Sequence, residues 1–152
     1  MRIPKTLYVI ADGGRVRYIE RVGPGRFNTF RKFVSVHMHE KAAELSPGKP
    51  GRVHESRGAA RHAIAQKINP RDKVEAEFIR VIAEDLRNDG TMASFDNLVF
   101  IAPAKLQQPF QDALPETITG KLAKCIDKDL TKIPDEDLYK HLPVMLVSEP
   151  AS

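Results

Sequence analysis

Thr6-Leu7-Tyr8-Val9-Ile10-Ala11-Asp12-Gly13-Gly14-Arg15-Val16-Arg17-Tyr18-Ile19-Glu20-Arg21-Val22 carries two apolar runs on either side of an Asp-Gly-Gly turn. Its first six residues form a nearly continuous apolar run, the pattern of a strand covered on both faces. Asp12-Gly13-Gly14 supplies turn chemistry, because Asp bonds to its own backbone and Gly tolerates positive φ. The run after the turn partly alternates. Val16, Tyr18 and Val22 are expected to face inward, and Arg15, Arg17 and Arg21 outward. The stretch therefore predicts a β-hairpin whose first strand lies inside a sheet.

Beyond the hairpin, Val22-Gly23-Pro24-Gly25 reads as a second turn and residues 30–37 as a third strand. Order returns at Asn69-Pro70, where Asn suits an N-cap, Pro the first helical position and Asp72 the positive helix end. Val74, Phe78, Val81, Ile82 and Leu86 then recur at helical spacing up to Gly90. Residues 98–102 form a short apolar strand. Leu106, Phe110 and Leu114 share a helical face, in which Pro109 must lie in a first turn or kink the helix. Residues 122–130 read as a last strand, and Pro134 with Asp135, Glu136 and Asp137 opens a terminal helix. The order predicts an α/β fold: a mixed five-stranded sheet, an antiparallel three-stranded meander plus two parallel strands, with helices on its faces. One domain is expected over residues 1–142, followed by a tail at 143–152. Ribonuclease H-like folds and the middle domain of class I release factors have the same order.

The chain has 152 residues, is 41% hydrophobic and 29% charged, and holds one cysteine, so a disulfide framework and a thiolate-only metal site are excluded. No run approaches about 18 apolar residues, and the charged start is too short for a secretory leader. The expected compartment is the cytoplasm, without membrane contact. Charge is unevenly divided. Residues 1–73 hold 16 Lys+Arg against 6 Asp+Glu, whereas residues 74–152 hold 8 against 14. Such asymmetry suggests a partner dense in negative charge, most simply nucleic acid, although a basic face is often only solvated.

Much of the excess lies in residues 38–69, a long loop with Pro and Gly but no apolar period. Lys49, Arg52, His54, Arg57, Gly58, Arg61, His62 and Lys67 are its candidate nucleic-acid contacts. Arginine forks match phosphate, and interspersed Gly lets backbone approach a ligand. Low apolar content predicts a segment that orders on its partner. Catalytic signals are weaker. A two-metal nuclease needs converging carboxylates; Asp12, Glu75 and Glu77 are placed for this, but the fourth strand ends without one. His37 and His39 lack a zinc pattern, Cys125 reads as a buried inert thiol, and no phosphate loop follows a strand. No cofactor and no metal are expected.

Three ordered blocks add a resemblance. Ala11-Asp12-Gly13-Gly14-Arg15-Val16-Arg17, Lys49-Pro50-Gly51-Arg52-Val53-His54-Glu55-Ser56 and Ile126-Asp127-Lys128-Asp129-Leu130-Thr131-Lys132, the last followed by an acidic segment ending Lys140-His141-Leu142, resemble the bacterial host attachment protein family. That family is similar to the release-factor middle domain, whose Gly-Gly-Gln loop reaches the peptidyl transferase centre. The corresponding loop here runs Arg57-Gly58-Ala59-Ala60-Arg61-His62-Ala63, with one matching glycine and no adjacent glutamine. The resemblance implies RNA or ribosome binding by the basic loop. The alternatives are a non-enzymatic attachment protein without RNA contact, a homo-oligomer being compatible with it, and a peptidyl-tRNA or phosphodiester hydrolase. The Asp127–Asp129 charges are expected to pair locally.

Overall fold

Strand β1 (Thr6–Ala11) is buried along its whole length, because β2 (Arg15–Gly23) flanks it on one side and β4 (Asn97–Ala102) on the other. The computed structural model describes residues 4–36, 69–88 and 90–143. Strand β3 (Arg26–Val34) and β5 (Leu122–Asp127) complete a five-stranded sheet of order β3-β2-β1-β4-β5. The β1/β2 and β2/β3 pairs are antiparallel, and the β1/β4 and β4/β5 pairs are parallel. This is the mixed sheet expected from the sequence.

Helix α1 (Pro70–Asn88) starts where the capping signals place it: the Asn69 side chain accepts the Arg71 N–H at 2.7 Å. Gly90 follows with φ +78°, a left-handed conformation that glycine adopts without Cβ strain. α1 buries Phe78, Ile79, Ile82, Ala83 and Leu86 against the sheet. The short helices α2 (Gln107–Ala113) and α3 (Glu116–Thr119) lie on the same face, where the Phe110 ring stacks on Phe100 at 3.7 Å. The other face carries Tyr8, Ile10, Ile19, Val99 and Ile101, packed under Leu130, Leu138 and Leu142. Sheet residues divide between the two cores by alternation, as the pleat demands, with the side switched where register breaks interrupt β3 and β5.

Several boundaries differ from expectation. The third strand begins at Arg26 and ends at Val34, because the turn closes at Pro24-Gly25 with Gly25 at φ +66°. The last strand stops at Asp127, after which residues 128–134 cross under the sheet. The terminal helix is a 3-10 segment, Asp135–Lys140. Residues 37–68, including nearly all of the 38–69 loop, lie outside the described residues.

The two outward arginines are the main correction. Arg17 and Arg21 are buried at 9% and 4% exposure, whereas Val22, expected inside, is 46% exposed. β2 is an interior strand covered on both faces, so alternation carries Arg17 into the second core. Register breaks near Tyr18/Ile19 and Arg21/Gly23 leave Phe30 and Val22 as the extra residues of two bulges. A bulge re-aims a side chain, which accounts for Val22 leaving the core. Cys125 is exposed rather than buried, because β5 is an edge strand.

Candidate functional site

At the carboxyl ends of β1 and β4 lies a cleft of about 730 Å³, the position where open α/β sheets commonly bind ligands. The hairpin turn Asp12–Arg15 forms one wall, the start of α1 a second, and Pro103, Lys105, Leu106 and Asp129 a third. Ser35 and Pro70, which flank the basic stretch of the sequence, also line it.

Asp12 acts as a turn residue. Its Oδ1 accepts the N–H groups of Gly14 and Arg15 at 2.8 and 2.7 Å, and its Oδ2 accepts the Thr131 hydroxyl at 3.0 Å. Glu75 reaches into the cleft wall from α1 and pairs with Lys105 Nζ at 2.7 Å and Arg71 Nε at 3.4 Å. The hydrogen bond to Glu75, opposed by the loss of solvent around the ammonium, holds Lys105 protonated above its ordinary range. Gly13 makes this placement sterically allowed: a Cβ there would meet the Glu75 carboxyl at 2.4 Å. Asp129 Oδ1 accepts both the hydroxyl and the N–H of Thr131, at 2.9 and 3.3 Å. Each carboxylate of the cleft is thus held by an internal partner. Among the described residues no group of three or more His, Cys, Asp or Glu could hold a metal ion.

Behind the cleft, Arg17 ties the segment after β5 to the sheet. Its Nη1 donates to the carbonyls of Leu130, Thr131 and Ile133 at 2.9, 3.3 and 2.7 Å. Its Nη2 donates to Thr29 Oγ1 at 3.2 Å and Asp135 Oδ1 at 2.5 Å. A planar fork with five donors is suited to such a convergence. Asp135 also accepts the Thr29 hydroxyl and N–H. Partial burial would raise the Asp135 carboxyl, but the bonds from Thr29 and Arg17 outweigh it and hold its pKa below the ordinary 3.8.

The block 127–132, expected to pair within itself, mostly secures distant backbone. Asp127 accepts the Ala104 N–H at 3.0 Å, and Lys128 donates to the His141 carbonyl at 2.6 Å. Only Asp129 pairs within the block.

Of the residues singled out from sequence, Asp12 and Glu75 meet at the cleft. Lys49, Arg52, His54, Arg57, Gly58, Arg61, His62 and Lys67 lie outside the described residues, as do His37 and His39. Sequence reading passed over Lys105 and the burial of Arg17. The available cue was position: an alternating arginine in a strand with a neighbour on each side and cover above and below has no solvent to reach.

A family model described as "Protein required for attachment to host cells" matches residues 7–142. Among curated proteins no match is found. A crystal structure of an archaeal translation termination factor superposes with a TM-score of 0.45 at 10% identity, covering 90% of this chain and 37% of that one. A structure described as an archaeal protein gives 0.47 at 13% identity, covering 90% and 36%. The chain therefore spans little more than a third of either structure. No helix among the described residues is long and apolar enough to cross a membrane.

Proposed function

Because this chain belongs to the family of proteins required for attachment to host cells, we propose that it acts in the cytoplasm as an RNA- or ribosome-binding protein, with attachment an indirect consequence. The observation that carries the reading is the placement of charge. The first 73 residues hold 16 Lys+Arg against 6 Asp+Glu, and Lys49, Arg52, Arg57, Arg61 and Lys67 crowd one Gly-containing stretch with His54 and His62. Ser35 and Pro70, on either side of that stretch, line one cleft with Arg15, Arg71 and Lys105. These three cations have carboxylate partners, so the surplus charge that would meet phosphate belongs to the stretch itself. The reading assigns binding and no reaction, since the cleft carboxylates are already occupied.

The test is binding of single-stranded RNA and co-sedimentation with ribosomes across a salt series. Affinity should fall with salt at a slope of about −0.7 per phosphate contact. Changing Arg52, Arg57 and Arg61 together to Ala should weaken binding by about tenfold or more and flatten that slope. Equal binding by the triple variant removes the stretch from the interface. No binding by the wild type leaves an attachment protein without RNA contact, and cleavage of charged tRNA would replace binding with hydrolysis.

A further inference from the structure

The geometry points to a base-stacking platform at Phe30, a site for one unpaired nucleobase of single-stranded RNA, resting on the RNA-binding reading above. Phe30 is the extra residue of the β3 bulge, since Tyr18 pairs with Arg31 and Ile19 with Thr29. Bulges re-aim side chains and are over-represented beside functional sites. Here the bulge turns an aromatic ring to the helix face of the sheet and leaves it 40% exposed.

The ring is pre-organised. Phe95, itself only 6% exposed, stacks under it at 6.1 Å with planes 15° apart, and Tyr18 supports it at 6.4 Å. A ring held by two buried neighbours needs little ordering to receive a third flat partner. Aromatic rings on an open sheet face are a recurring way to hold splayed-out bases, and stacking tolerates any sequence.

The charge around the ring suits a polyanion. The Lys5 ammonium lies 5.4 Å from the Phe95 centroid. Phe27 packs in the opposite core, so Arg26 and Asn28 share the face of Phe30. The Lys5 backbone N–H donates to the Asp96 carboxylate at 2.8 Å, while the Lys5 ammonium and the Arg26 guanidinium show no ion pair among the described residues. Nearby Asp85 is held by the Arg31 fork at 2.7 and 3.0 Å and by the Tyr18 hydroxyl. Glu20, opposite Asn28, and Asp96, next to Phe95 and bonded to the Lys5 N–H, are the other acids near the ring. A phosphate chain laid along this face would neutralise Lys5 and Arg26.

The experiment measures anisotropy of a fluorescein-labelled oligouridylate with the full chain. Phe30→Ala should weaken binding about tenfold while the salt slope stays as in the wild type, because no phosphate contact is removed. Thermal unfolding of the variant confirms that it remains folded. The chain contains no tryptophan, so Phe30→Trp introduces a lone indole reporter. Its affinity should match the wild type, and its emission should be quenched by oligouridylate but not by inorganic polyphosphate. Wild-type affinity in Phe30→Ala overturns the platform and leaves the RNA reading standing. Failure of the wild type to bind overturns both. Equal quenching by polyphosphate, or a blue shift of the indole as protein concentration rises without RNA, overturns it in favour of a phosphate site or a second copy.

Discussion

Replacing Arg17 with methionine tests how the polar clamp behind the cleft contributes to stability. Methionine keeps most of the unbranched apolar stem of arginine but is shorter and has no donor. The substitution removes the hydrogen bonds to the Leu130, Thr131 and Ile133 carbonyls and the charge-assisted bond to Asp135. Losing one partner of a buried ion pair costs about 3–5 kcal/mol. The Asp135 side chain is 29% exposed and retains both bonds from Thr29, so water and Thr29 compensate part of the loss. That argues for the lower end, about 3 kcal/mol. With a urea slope of about 2 kcal/mol per molar, the unfolding midpoint should fall by about 1.5 M. Circular dichroism in urea measures it, and a cycle with Asp135→Asn isolates the pair.

The same pair has a pH signature. The folded pKa of Asp135 lies below its unfolded value, so its contribution is present above the unfolded value near 3.8 and is lost as pH falls through the folded one. The wild type should therefore lose more stability than Asp135→Asn as pH drops below about 4. An Arg17→Met loss under about 1 kcal/mol, or a coupling near zero in the cycle, would refute the clamp argument.

Three further outcomes follow from particular contacts. Gly13→Ala should destabilise by no more than about 1 kcal/mol, because its Cβ would overlap the Glu75 carboxyl and the flexible end of that side chain must swing away from Lys105, and adding Glu75→Ala should recover most of the loss in thermal unfolding. Phe110→Ala should cost about 3–5 kcal/mol by urea unfolding, since Phe110 is fully buried and stacked on Phe100. Cys125 should react with a thiol reagent in the native protein without denaturant, yet slowly at neutral pH. It is exposed, but partial burial raises its pKa despite the Gln111 hydrogen bond.

The helix and strand order was legible from local pattern. The apolar run at Thr6–Ala11, the Asp12-Gly13-Gly14 turn, the Asn69-Pro70 start and the Gly90 stop all act through short-range backbone chemistry, and the sheet order followed from connection rules. Two features came only from tertiary structure. Alternation placed Arg17 opposite Val16 and Tyr18 but could not tell solvent from core; residues 128–142 folding under the sheet made that side interior and supplied carbonyls over a hundred residues away in sequence. The bulge at Phe30 depended likewise on the match between β2 and β3, because one extra residue alters register without altering composition. Local propensity acts over a few residues and is written in the chain. Burial and register depend on which distant segment covers a strand, and the packed sheet decides that.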